Sequence, residues 1–252
     1  MLSCIAIVSL FMNSFQIKSD TNQISFAEQQ LKNERVLEAY QQKDTLLRKV
    51  FMDSIGVYPP TAVFFRAFKN ESKFEVWAMH PKKNVFKLVK TYPICYKSGV
   101  IGPKREEGDR QVPEGFYKIN VFNPQSNFYL SLGLNYPNQS DSILTTNTNS
   151  PGSDIYIHGD CVSIGCIPLT DEYIKEIYLI ATYAHSAGQE EIPVHIFPFN
   201  YAKPIYTKLL ATYSNPVLKN FWYNIKDGFD YFQNKKLLPE VSVDEKGKYL
   251  FK

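Results

Sequence analysis

One short segment of the chain combines a histidine, two cysteines and a serine. It runs from Ile157 to Asp171 and reads I-H-G-D-C-V-S-I-G-C-I-P-L-T-D. A cysteine attacks a carbonyl carbon only as its thiolate, and an unperturbed thiol with a pKa of about 8.5 is only a few per cent ionised near neutral pH. An imidazole within hydrogen-bond reach can accept the thiol proton. His158 lies eight positions before Cys166, so the segment predicts nucleophilic acyl transfer with Cys166 as nucleophile and His158 as base.

The neighbours of Cys166 favour the same chemistry. Gly165 precedes it and allows a sharp turn of the backbone. The amides of Gly165 and Cys166 are therefore predicted to form an oxyanion hole, where one donor is typically worth roughly 10²–10³ in rate. A helix predicted to begin after Thr170 would add positive potential close to the thiolate.

Cys161 competes with Cys166 for the role of nucleophile. It lies three residues after His158 with no glycine before it, and we interpret it as a small buried hydrophobe. A Cys161–Cys166 disulfide is the alternative outside the cytosol. If Cys4 leaves with a signal peptide, Cys95, Cys161 and Cys166 remain, and this odd number implies at least one thiol that is free or paired between chains.

Hydrophobic periodicity predicts the elements that must position this segment. Strands are expected at 61–69, 73–79, 86–95, 116–122, 128–134, 155–158 and 192–198. Helices are expected at 26–55 and 171–186, and residues 200–252 read as a mostly helical, aromatic tail. The stretch 98–115, rich in glycine and charge, is expected to be a surface loop.

The N-terminus carries an apolar run of 12 residues from Cys4 to Phe15. This is too short to cross a bilayer and has the size of a signal-peptide core, although no Lys or Arg precedes it and no clear cleavage site follows. We predict export to the periplasm or cell envelope, with a buried segment of a cytosolic protein as the alternative. The expected organisation is a signal peptide (1–22), a helical segment (23–57), a catalytic domain (58–200) and a C-terminal helical extension packed on it (201–252).

Composition narrows the class of function. The chain has 252 residues, 44% of them hydrophobic and 21% charged, which is typical of a globular protein. A formal net charge of +3 is too small to indicate a nucleic-acid partner but would not repel an anionic polymer. No Cys/His/Asp cluster has zinc-ligand spacing, so neither a metal nor a cofactor is expected.

Several separated segments resemble the L,D-transpeptidase (YkuD-type) family, in its YafK-like branch. They are the H-G-x-C-x-S-x-G-C run, the stretches 101–117, 123–141 and 188–199, and the Phe221-Trp222 pair. The resemblance spans roughly residue 51 to the C-terminus. One departure from typical members is Ile164, which replaces the second histidine of their S-H-G-C motif, and the spacing between His158 and Cys166 is also shorter.

The resemblance implies a fold, a site and a substrate. The fold would be mainly β (α+β), a sandwich-like catalytic domain with flanking N- and C-terminal helices. Cys166 would be the nucleophile and His158 the base, with the Gly159 carbonyl orienting the imidazole and Ser163 and Gly165 completing the catalytic set. The substrate-binding set would comprise Lys104, Arg110, Tyr136 and Asn138. From the residues alone, Lys104 and Arg110 are expected to be charges of a solvated loop, and the alternative is that Arg110 or Lys104 binds a stem-peptide carboxylate.

Three functions remain open at this point. The first is acyl transfer on peptidoglycan stem peptides through a cysteine thioester, which makes cross-links or attaches a protein. The second uses the same site hydrolytically, as a carboxypeptidase or amidase that releases stem residues or a wall-bound lipoprotein. The third is a non-catalytic peptidoglycan-binding protein, and the intact His158 and Cys166 argue against it.

Overall fold

The computed structural model of the protein describes residues 24–145, 150–152 and 154–252. Its helices are α1 (Phe26–Gln30), α2 (Glu34–Ile55), α3 (Gln139–Leu144), α4 (Asp171–Ser186), α5 (Ile205–Ala211) and α6 (Pro216–Lys235). Its strands are β1 (Val63–Phe68), β2 (Lys73–His80), β3 (Val85–Pro93), β4 (Gly115–Asn123), β5 (Ser131–Leu134), β6 (Tyr156–His158), β7 (Ile167–Pro168), β8 (Pro193–Phe197), β9 (Val241–Val243) and β10 (Tyr249–Phe251). Within the described residues no helix has both the length and the apolar character needed to cross a bilayer.

Eight strands form one mixed sheet in the order β3-β2-β1-β8-β4-β5-β6-β7. The first three strands are an antiparallel meander, and β8 returns to lie between β1 and β4, parallel to β1 and antiparallel to β4. All six residues of β1 are buried, as expected for a strand covered on both faces. At the other end β5 pairs antiparallel with β6, and β6 pairs in parallel with the short β7.

Helices cover the two faces of the sheet. Phe65 and Ala67 on one face of β1 belong to the core cluster that also contains the buried residues of α2 and α4. Phe64 and Phe68 point to the other face, because side chains alternate along a strand. There they meet α6, where the Phe64 ring lies 4.7 Å from Phe232 and the Phe68 ring 6.2 Å from Phe229. The C-terminal helix is thus part of the aromatic core.

The expected class, a β-rich domain with flanking helices, is confirmed, and most predicted strands are present within one to three residues of their expected bounds. The predicted single helix at 26–55 is wrong in one respect, because Leu31–Asn33 separate α1 from α2 and Asn33 occupies the N-cap of α2. The short α3 was not anticipated. A capping box, in which Asn138 and Asp141 satisfy each other's backbone amides, begins it.

The helical reading of the C-terminal tail is wrong beyond α6. There β9 and β10 form an antiparallel hairpin. The Asp244 carboxylate accepts hydrogen bonds from the Lys246 and Lys248 amides, and Gly247 adopts a positive φ of 80°. This turn chemistry closes the hairpin. The predicted signal peptide (1–22) lies outside the described residues.

Candidate active site

Two neighbouring strands position the segment that carries His158 and Cys166. Strand β6 ends at His158, the chain loops out through residues 159–166, and β7 returns beside β6 with Ile157 opposite Ile167. His158 and Cys166 consequently line one open cleft of about 660 Å³, the main cleft. The Leu169 amide donates to the carbonyl of His158 at 2.8 Å and continues the pairing beyond β7.

The His158 ring is fixed in one tautomer. Its Nδ1 lies 2.5 Å from the carbonyl oxygen of Gly159. A carbonyl oxygen can only accept a hydrogen bond, so Nδ1 must carry the proton and Nε2 is left as the basic nitrogen. The Phe128 ring packs on the imidazole with its centroid 4.7 Å away. Burial lowers the pKa of His158, against the smaller opposing effects of the Gly159 carbonyl and the Asp160 charge.

Residue 159 must be a glycine because the backbone is closely surrounded. A Cβ at this position would lie 2.5 Å from Asp171 Oδ1 and 2.8 Å from the carbonyl oxygen of Phe128. The same Asp171 oxygen accepts a hydrogen bond from the Asp160 amide at 2.9 Å, and the Gly159 amide donates to the carbonyl of Leu130 at 3.1 Å. The first turn of α4 and the residue that precedes β5 therefore hold the Gly159 carbonyl that orients His158.

Cys166 carries a free thiol. The Tyr156 amide donates to its Sγ at 3.4 Å, and the thiol points to the carbonyl of Asp154 at 3.8 Å. Burial raises the pKa of Cys166. The Tyr156 amide and the charge of Lys104 act in the opposite direction, while the charge of Asp154 adds to the rise. A raised thiol pKa beside a lowered imidazole pKa favours a neutral thiol and a neutral imidazole at rest.

Ser163 and Gly165 shape the turn before the thiol. The Gly165 amide donates to Ser163 Oγ at 3.1 Å, and this hydroxyl donates to the carbonyl of Cys166 at 2.9 Å. Gly165 has a φ of 145°, and a Cβ there would lie 3.2 Å from the carbonyl oxygen of Gln111. Because the Gly165 amide is engaged by Ser163, it does not point freely at an incoming oxyanion as the sequence suggested.

Cys161, the other cysteine of the segment, is in a disulfide. Cys161 is bonded to Cys95, with the two Cα atoms 5.6 Å apart. The Cys95 amide donates to the carbonyl of Pro168 at 3.1 Å, which places the chain after β3 alongside β7 and within reach of the loop. The reading of Cys161 as an unpaired buried hydrophobe and the alternative Cys161–Cys166 disulfide are therefore both wrong. The pairing leaves Cys166 as the free thiol of the site.

A second, smaller cavity of about 120 Å³, the side cavity, also has Cys166 in its lining. Tyr96, which follows the disulfide-bonded Cys95, lines both cavities. Sequence reasoning missed Tyr96 and Tyr156, and it placed Phe128 on a strand without assigning it to the site. The sequence around them gave little indication of a role in the site. Tyr96 follows a cysteine, and Tyr156 and Phe128 lie near the ends of predicted strands.

The four predicted substrate-binding residues have other contacts, and none of them is among the described residues that line either cavity. Lys104 is buried and pairs with Asp109 at 2.7 Å. Arg110 is exposed and has a positive φ of 58°. The Tyr136 hydroxyl donates to the carbonyl of Pro151 at 2.6 Å. Asn138 caps α3. A role of these residues in substrate binding stays a prediction.

No group of three or more His, Cys, Asp or Glu side chains in the described ranges is arranged to hold a metal ion. The donor set at Cys166 consists of one thiol, one imidazole and backbone groups, which suits covalent acyl chemistry.

The domain is β-rich with flanking helices, and a free thiol and an imidazole line one of its clefts. A sequence profile described as "YkuD: L,D-transpeptidase catalytic domain" matches residues 66–196. The chain belongs to this family, an enzyme family that acts on the stem peptides of bacterial peptidoglycan, and the resemblance inferred from the motifs is confirmed.

Among curated proteins the chain is similar to "Putative L,D-transpeptidase YafK" of Escherichia coli K12. The two are 36% identical over 183 residues, which is 72% of this chain and 70% of that protein, and the protein of strain O157:H7 matches equally. Among solved structures, the helical cell shape determining protein Pgp2 of Campylobacter jejuni aligns with a TM-score of 0.44 at 18% identity over 82% of both chains. Bd1075 of Bdellovibrio bacteriovorus aligns with a TM-score of 0.40 at 19% identity over 70% of this chain and 59% of that one.

Proposed function

We propose that the protein transfers acyl groups of peptidoglycan stem peptides through a thioester on Cys166, with His158 as the general base. The observation that carries the proposal is the main cleft, in which a free thiol and an imidazole with an unprotonated Nε2 share one lining. Family membership supplies the substrate class. Because the family is associated with the bacterial cell wall and periplasm, we also propose that this protein is exported to the periplasm or cell envelope.

The first half of the reaction forms the thioester. Cys166 Sγ attacks the carbonyl carbon of a diamino-acid residue of the stem, and its proton passes to Nε2 of His158. The tetrahedral intermediate then breaks the carbon–nitrogen bond, and the leaving amine takes the proton from His158. The acyl group remains on Sγ, and the imidazole is neutral again.

In the second half an amine of another stem attacks the thioester, gives its proton to His158 and receives the acyl group, while the sulfur leaves and is reprotonated. The product is a cross-link, or a protein attached to the wall when the amine belongs to a lipoprotein. Water in place of the amine gives hydrolysis with the same residues, because the acceptor is selected by the shape and hydration of the cleft.

The test is incubation of the protein with purified muropeptides, with and without an added amine acceptor, followed by mass spectrometry of products and of the intact protein. The proposal expects a cross-linked product that depends on the acceptor and an acyl adduct on Cys166. Cys166→Ala should abolish both and keep the fold. If hydrolysed stem peptides are the only product, the protein is a hydrolase and not a transferase. If the wild-type protein binds muropeptides without converting them, the proposal of catalysis is refuted.

A further inference from the structure

A buried carboxylate joins three distant parts of the chain. Glu114 is fully buried and accepts three hydrogen bonds or ion-pair contacts. They come from the Gly102 amide at 2.8 Å, from Lys69 Nζ at 2.9 Å and from Trp222 Nε1 on α6 at 2.7 Å. A charged acceptor in a dry environment makes such contacts strong, and the loss of one of them is costly.

Lys69 also contacts two backbone carbonyls of the loop that contains Glu114. Its ammonium donates to the carbonyl of Gly102 at 2.6 Å and to the carbonyl of Val112 at 2.8 Å. Residues 98–114 are here called the wall segment, and within it Lys69 links Gly102 to Val112 while the Glu114 carboxylate binds the Gly102 amide. Burial lowers the pKa of Lys69, and the neighbouring Glu114 carboxylate opposes this shift.

The wall segment reaches the nucleophile. Residues 98–101 and Val112 line the side cavity together with Cys166. The carbonyl of Gln111 lies so close to Gly165 that a Cβ on that glycine would be 3.2 Å from it. A displacement of the wall segment would therefore change the space beside Cys166 while leaving His158, which lies on β6, in place.

We propose that Glu114 and Trp222 are positioning residues, through which the C-terminal helix α6 fixes the wall segment against the Cys166 turn. The inference rests on the proposed function for its consequence in turnover, but the physical link from α6 to the wall segment stands on the contacts alone. It makes the C-terminal extension a working part of the acyl-transfer site.

The chain contains its own matched control. Trp77 Nε1 donates to Glu75 at 2.8 Å, and Glu75 pairs with Arg66 at 2.7 Å. This second cluster has the same composition of indole, carboxylate and buried cation. None of its three residues is among the described residues that line the main cleft or the side cavity.

The experiment compares Trp222→Phe with Trp77→Phe in the full chain. Both variants lose one indole hydrogen bond to a buried carboxylate and keep an aromatic ring, so their losses of global stability should be similar. One such bond is worth a factor of about 10 or more in an opening equilibrium. Amide hydrogen exchange of residues 98–114 should accelerate about tenfold in Trp222→Phe and stay within about twofold of wild type in Trp77→Phe.

Two rate measurements separate positioning from general damage. Acylation of Cys166 by a stem peptide should fall by more than about twofold in Trp222→Phe, because the wall segment is less well fixed beside the thiol, and should stay within about twofold of wild type in Trp77→Phe. Alkylation by iodoacetamide, which needs no bound peptide, should change by less than about twofold in both variants. Glu114→Gln keeps the shape and weakens the charged contacts, and it should show the same pattern if Trp222→Phe does not fold.

Equal effects of the two tryptophan variants on exchange of the wall segment would overturn the inference, and so would unchanged exchange in Trp222→Phe. If wild-type protein does not react with stem peptides, the proposed function fails while the exchange comparison still decides the link from α6 to the wall segment. If the exchange result holds but acylation is unaffected, the contacts hold the loop without positioning the site, and the inference is wrong.

Discussion

The Cys95–Cys161 disulfide should be a major stabilising feature of the domain and should be dispensable for the chemistry. It joins residues 66 positions apart. Closing a loop of that length in the unfolded chain lowers its entropy by an amount worth about 4 kcal/mol at 25 °C in the chain-entropy treatment. We therefore expect Cys95→Ser and Cys161→Ser each to lower the free energy of unfolding by about 4 kcal/mol, a large part of the 5–15 kcal/mol typical of domains.

Urea denaturation followed by circular dichroism measures this effect. The two single variants and the double variant should have the same stability, because each removes the same bond. A reducing agent should destabilise the wild-type protein to the same level and leave the variants unchanged. Cys166→Ser is the matched control, since it changes a cysteine that is not in the disulfide.

Three results would refute this reasoning. The first is a difference between the two single variants of more than about 1 kcal/mol. The second is an effect of the reducing agent on Cys95→Ser. The third is loss of activity towards stem peptides in Cys161→Ser at a temperature where this variant stays folded, because the variant should retain most of its activity. Loss of that activity would reopen the assignment of Cys166 as nucleophile.

Three further predictions follow from protonation and from the family. Alkylation of Cys166 by iodoacetamide should rise with pH through a transition above about 8.5, because burial raises its pKa, and a rate plateau below pH 6 would indicate a thiolate–imidazolium pair instead. A carbapenem should add its mass to the protein in intact-mass analysis and fail to do so in Cys166→Ala. Burial lowers the pKa of His195 to about 3, so protonation favours the unfolded chain. Relative to His195→Phe, the stability of the wild type should therefore fall by about 2 kcal/mol between pH 7 and pH 5.

The local parts of the site could be predicted from the sequence because they are encoded in contiguous residues. His158 and Cys166 lie within one segment, and the strand before it and the helix after it have clear periodicity. The partner of Cys161 could not be predicted, since Cys95 is 66 positions away and a disulfide depends on which loops the sheet brings together. The odd number of cysteines that remain without Cys4 predicted at least one thiol that is free or paired between chains, and among the described residues Cys166 carries a free thiol.

Residues marked by motif resemblance were harder to interpret. Asn138 and Tyr136 belong to a recognisable stretch, but in the structure one caps α3 and the other bonds to a backbone carbonyl. A motif records that a residue matters and does not say whether it contacts substrate or supports the backbone. The contacts of Glu114 were equally hidden, because they depend on the packing of α6 from the far end of the chain.

For the proposed acyl transfer, the resting protonation state of Cys166 and His158 determines which interactions must lower the barrier. With ordinary pKa values of about 8.5 for a thiol and about 6.5 for an imidazole, transfer of the proton from Cys166 to His158 already costs about 2.7 kcal/mol. Burial of both groups widens this pKa gap. A thiol of high pKa is the stronger nucleophile once ionised and resists oxidation while protonated.

The remaining barrier has to be lowered at the substrate carbonyl, by donors that stabilise the oxyanion. Since the Gly165 amide is held by Ser163 Oγ, either this hydrogen bond breaks when substrate binds or donors other than Gly165 serve, and Ser163→Ala distinguishes the two. Faster acylation in that variant would mean that the hydrogen bond has to break before the Gly165 amide can stabilise the oxyanion. Unchanged or slower acylation would mean that donors other than Gly165 serve, and slower acylation would add that the serine supports the turn.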